Sequence, residues 1–160
     1  MLLKLKEFLK GNISLSEKEI KDIRDYFNEV LNYNEMDTEK PVDILEDIYN
    51  TFKDIYSYSG AVYRGVFIDT SWNEYEDNYE ISSFSSNKNV AENFAMRGDN
   101  GDCYLITQEV CNELDFGMLL NDLHDKDILL TDDVQTFLGE DEILCYVQKN
   151  CTVNKICTLY

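Results

Sequence analysis

At 160 residues the chain is long enough to bury a core of its own, and 44% hydrophobic with 12% aromatic residues exceeds what a disordered chain carries. One proline and seven glycines exclude a long flexible linker, and no apolar run approaches the length of a membrane span. A net charge of −18, from 32 acidic and 14 basic groups, opposes binding to nucleic acid or anionic membrane and leaves three readings: a solvated acidic surface, attraction to a basic protein, or mimicry of DNA.

In chain order, "MLLKLKEFLKGN" spaces its leucines at helical intervals and breaks them with lysines. A secretory signal needs an uninterrupted apolar region and a small-residue cleavage site, so this segment reads as a short amphipathic helix packed on the body, with a membrane or partner contact as the lesser alternative. Ser14 or Ser16, with Glu17 or Glu19 three positions on, has capping-box spacing. Ile20, Ile23, Phe27, Val30 and Leu31 then recur near a 3.6-residue period. After Pro41, a second helical pattern runs through Ile44, Leu45, Ile48, Phe52 and Ile55.

From Gly60 the character changes. "GAVYRGVFI" is rich in β-branched and aromatic residues and reads as a strand. A polar loop, the serine stretch "SSFSS" and the short helix "NVAENFAMR" follow, then the strand "CYLITQEV". "DILL" is a further candidate strand, "EILCYVQ" another, and "TVNKICTLY" is expected to end the sheet. Helices first and strands second make the class α+β, a single domain over 1–160 with helices to residue 58 and a strand-rich part from 59 to 160.

Five cysteines (103, 111, 145, 151 and 157) form no CxxC pair, and one histidine is too few for the usual Cys/His metal site. They read as buried free thiols in a reducing cytoplasm, and no metal is expected.

Three stations carry chemistry. In a strand, Arg64 shares a face with Val62 and Val66, and a guanidinium there is costly unless an anion meets it. Its planar fork suits phosphate or carboxylate, although an ion pair with one of the many acidic residues would also explain it. Gly65 beside it lets a backbone or a ligand come close. If "EDEILCYV" begins a strand, Glu140 and Glu142 share a face and repel unless something cationic lies between them; an acidic edge in solvent is the plainer explanation. Ser83 and Ser85 share a face if extended and could hold a ribose or a carboxylate, whereas a helix N-cap would account for one or two serines.

Taken in order, "VYRG" at 62–65, "SFSSNKNVAENFA" at 83–95 and "GEDEIL" at 139–144 resemble the mono-ADP-ribosyltransferases of the arginine–serine–glutamate class, which includes bacterial toxins and phage-encoded enzymes. The resemblance spans residues 60–150. It implies N-terminal helices packed on a two-sheet mixed β core with an NAD cleft, and NAD used as a substrate. Arg64 would grip the NAD phosphates beside Gly65, Ser83 would orient Glu142 and the nicotinamide ribose, and Ser85 would support its strand. Glu142 would be the central catalytic residue, stabilising the oxocarbenium-like transition state, and Glu140 would help deprotonate the acceptor. A glutamate at 140 goes with arginine as acceptor. Phe94 would lie near nicotinamide, and Phe137 in "TDDVQTFLG" would touch the protein substrate unless it is a core residue.

Phe84 is expected to pack inward, Tyr63 to be core, and His124 to be an exposed residue in a polar loop. The resemblance implies a target protein; small size and the lack of a signal fit a monomer in the cytoplasm of a host or target cell, and the charge favours a basic target and opposes a nucleic acid or membrane partner. A non-enzymatic acidic mimic and an NAD glycohydrolase are the alternatives.

Overall fold

Ser16 opens the first long helix as the capping-box spacing predicts: its hydroxyl accepts the Glu19 amide at 3.2 Å, and the Glu19 carboxylate accepts the Ser16 amide at 3.0 Å. The computed structural model describes residues 1–32, 41–68, 80–98, 101–134 and 139–159. Helices α1 (Leu2–Leu9), α2 (Glu17–Leu31) and α3 (Val42–Phe52) lead the chain. They turn Leu5, Ile23, Phe27, Leu45, Ile48 and Phe52 into a common core, because the 3.6-residue spacing puts those positions on one side of each helix.

Strand β1 (Ser57–Ile68) comes next, then β2 (Ile81–Ser85), α4 (Lys88–Ala95), β3 (Gly101–Asp115), α5 (Phe116–Asp125), α6 (Thr131–Val134), β4 (Glu142–Tyr146) and β5 (Thr152–Leu159). The α+β class stands, and the two-sheet mixed core is corrected. Among the described residues every strand pairing is antiparallel and all five strands belong to one sheet. The cause is the length of β3. One edge of it takes β1 along nearly its whole course; the other takes β5 at Gly101–Thr107 and β4 at Leu114–Asp115. Strand β2 pairs with β4 and touches β1 at Tyr63↔Ser85, so β1, β2, β4 and β3 close into a small barrel.

Alternation along β2 and β4 then divides two cores. Phe84, Ile143 and Cys145 point inside the ring with Val62, Val66, Ile106 and Val110. Ile81 and Leu144 point outward into the core made by the helices. Phe84 is thus inward as expected, whereas Tyr63 is only half-buried.

Helix α5, which carries His124 in its last turn, replaces the polar loop expected there; the imidazole Nε2 lies 3.0 Å from the Thr131 hydroxyl. The "DILL" segment is no strand. The Ile128 amide bonds to the Leu123 carbonyl (2.9 Å) and the Asp127 amide to that of His124 (3.0 Å), a Schellman end to α5 with Asp127 at φ 59°. Ile128 and Leu129 are buried among the helices. Of the five thiols, Cys103 and Cys145 are buried as expected, Cys151 and Cys157 are half-buried, and Cys111 is exposed. Among the described residues no helix is long and apolar enough to cross a membrane.

Candidate functional site

The ring closure puts the three stations side by side. Strand β2 lies between β1, which carries Arg64, and β4, which opens with Glu142; Ser85 stands directly opposite Glu142, and Ser83 opposite Leu144. The Ser83 hydroxyl donates to Glu142 Oε1, while the Ser83 carbonyl accepts from Arg64 Nη1 at 2.7 Å. One residue therefore holds an anion through its side chain and a cation through its backbone.

Glu142 is buried, and its second oxygen, Oε2, is enclosed with no hydrogen-bond partner. Burial is the largest cause of a carboxyl pKa raised from 4.5 to about 7; the Ser83 bond and Arg64 oppose the rise, and Glu140 adds to it. An enclosed oxygen without a donor costs about 1–3 kcal/mol, so a ligand hydroxyl that supplied one would be favoured there.

Glu140 reaches the site by another route than strand alternation. Strand β4 begins only at Glu142, because Gly139 (φ 87°) and Asp141 (φ 50°) form a left-handed turn before it. The shared face expected for Glu140 and Glu142 is corrected accordingly. The turn is tied to β2 instead: the Ser85 hydroxyl donates to the Glu140 carbonyl at 2.7 Å, and the Ser86 amide donates to that of Asp141 at 3.0 Å. The Glu140 carboxyl is half-buried and raised by desolvation, with Arg97 opposing the rise.

The serines are not the helix cap. Asn87 caps α4, accepting the Asn89 amide at 3.0 Å, and Ser85 accepts the Asn87 amide at 3.0 Å. Ser85 thus joins strand, helix entrance and glutamate turn. Gly65 serves a backbone and not a ligand: a Cβ there would stand 1.8 Å from the Ala91 carbonyl oxygen, so α4 lies directly on β1 at that point. Phe94, on α4, is 42% exposed, and the Arg97 guanidinium lies over its ring at 5.3 Å. Phe137 lies outside the described residues.

Two contributors escaped the sequence reading. Arg97 places a second cation beside Glu140; its position three residues past Phe94 was the available signal. Gly117, in the first turn of α5, would bring a Cβ within 3.3 Å of the Glu142 amide nitrogen, so its bare backbone lets the helix abut β4. Among the described residues no three His, Cys, Asp or Glu side chains converge to hold a metal ion. Compared with protein-family models, curated proteins and solved structures, the chain matches none.

Proposed function

We propose that this chain is a mono-ADP-ribosyltransferase that cleaves NAD and passes ADP-ribose to a protein side chain, with arginine the first choice of acceptor. The observation that carries the reading is the Ser83–Glu142 pair: a buried carboxylate, held at one oxygen by a serine, with the other oxygen enclosed and lacking a donor.

In this reading Glu142 Oε2 accepts a bond from the ribose 2′-hydroxyl. Its ionised form stabilises positive charge at the anomeric carbon as the glycosidic bond breaks and nicotinamide departs with the bonding pair. Such charge stabilisation contributes about 10²–10³ in rate. Arg64, fixed to the same serine, is the cation assigned to the phosphates. Glu140 takes the proton that the acceptor nitrogen loses as it bonds to the anomeric carbon. Its upward shift suits a base that must take up a proton. The finer fold assignment, an ADP-ribosyltransferase-like arrangement with an NAD cleft, belongs to the same proposal and rests on helices packed against a strand ring that joins the three stations.

The test is incubation with a labelled NAD analogue and a bacterial lysate, comparing the native chain with Glu142→Gln. Label on a discrete protein with the native chain alone is the expected result. Nicotinamide release without labelled protein would move the assignment to a glycohydrolase. No turnover of NAD by either form would overturn both.

A further inference from the structure

Cys103 stands directly opposite Cys157 in the β3–β5 ladder. Facing residues of an antiparallel pair hold their Cα atoms about 4.5–5.5 Å apart, within the span that a disulfide bridges. A bulge in the ladder falls immediately beside this pair, between Cys103 and Tyr104, where the local twist re-aims side chains. Facing residues carry their Cβ atoms about 4.5–5.5 Å apart, so the two thiols are neighbours on one face of the ladder. Both are free, Cys103 wholly buried and Cys157 half-buried, so a small oxidant meets one sulfur first and the other waits behind it.

We propose that Cys103 and Cys157 form a reversible disulfide that staples β5 to β3 when a peroxide reaches Cys157. The Cys157 thiolate attacks one peroxide oxygen and becomes a sulfenic acid. The hydroxide that leaves takes up the proton the thiol gave up, making water. The Cys103 thiol then attacks the sulfenic sulfur, the S–S bond forms, and a second water leaves with the remaining proton. The dithiol loses two electrons and the peroxide gains two. Burial holds the Cys103 thiol above its ordinary pKa, so the half-buried Cys157 meets the peroxide first, and Cys103 gives up its proton only as it attacks the sulfenic sulfur. The consequence is local: among the described residues β5 pairs with β3 alone and stands outside the closed ring, so the bond would tie down the strand with fewest neighbours there.

The experiment treats the folded Cys111→Ser protein, which lacks the exposed thiol, with hydrogen peroxide, then alkylates it, digests it with trypsin and maps it by mass. The expected result is a chain lighter by about 2 Da with the peptide of Cys157 linked to that of Cys103. The link should be reversed by a dithiol and raise Tm by about 5–10 °C. Cys157→Ser should lose the link and the rise in Tm, and Cys151→Ser should keep both. Recovery of Cys103 and Cys157 as alkylated thiols after peroxide treatment, or of Cys157 bridged to Cys151, would overturn the proposal. Should Cys157→Ser fail to fold, the linkage found in the Cys111→Ser protein decides the question alone.

Discussion

Glu142 sets a conflict between stability and chemistry in a single side chain. Its folded pKa of about 7 lies above the ordinary 4.5, so the folded chain keeps its proton longer than the unfolded one. Below about 4.5 both states are protonated and the burial carries no ionic penalty. Between 4.5 and about 7 the unfolded chain ionises first and stability falls; above 7 the full penalty stands. At about 1.4 kcal/mol for each tenfold change, the penalty is about 3 kcal/mol. Glu142→Gln should therefore raise Tm by about 5–10 °C at pH 8 and leave it unchanged at pH 4, which thermal melts at the two pH values would check. The same residue sets the pH profile proposed for NAD cleavage: kcat/KM for nicotinamide release should climb with pH to a midpoint near 7, since the carboxylate must be ionised to act. Ser83→Ala removes the bond that favours the ionised form, so its midpoint should move upward by about one to two pH units. An unmoved midpoint would show that Ser83 does not tune this glutamate.

At the scale of elements, the site depends on one helix seated on one strand. Helix α4 reaches β1 because Gly65 offers no side chain, and the helix entrance is tied through Asn87 and Ser85 to the turn that carries Glu140. Gly65→Ala should cost about 3 kcal/mol or more, because backbone on both sides must separate, and should lower Tm by about 6–12 °C. Thermal unfolding measures this directly. A change of less than 2 °C would mean that α4 is not held against the strand as described. On α2, Ser16→Ala removes half of the capping box and should cost about 1 kcal/mol, read as a small fall in urea midpoint with an unchanged m-value.

For the whole molecule the dominant quantity is charge. With −18 on 160 residues, self-repulsion opposes the compact state and an acidic field surrounds it. Raising salt from 0.1 M to 1 M shortens the screening length from about 10 Å to 3 Å. Tm should rise across that range, while labelling of a basic target, drawn in by long-range attraction, should slow. A target whose labelling rate ignored salt would argue against steering by charge. Closure of the sheet also acts at this scale. Joining β1, β2, β4 and β3 places the stations on neighbouring strands, and the bonds of Ser83 to Arg64 and Glu142 restrain the three relative to one another.

The local signals were legible because local physics produces them. The capping box at Ser16, the 3.6-residue stripes of α2 and α3, and the β-branched run around Arg64 appear in the fold where the sequence puts them. Gly11 (φ 82°) ends α1 with the residue best suited to a left-handed position; Asp127 does the same for α5 without that signature, so "DILL" read as a strand. Among the site residues, Arg64, Ser83 and Glu142 could be nominated from strand faces and order, but their meeting could not. Glu140 enters from a left-handed turn and not by alternation, Gly65 receives a helix, and Arg97 joins from beyond the end of α4. Each of these depends on residues far apart in the chain. Sequence by itself determined the leading helices, the strand around Arg64 and the chemical inventory, since those follow from spacing and side-chain type. Only the tertiary structure decided that the sheet closes on itself, and with it that Glu142 is buried, held by Ser83 and left with one oxygen unpaired. Burial and pairing arise from contacts between distant strands, which no local pattern encodes.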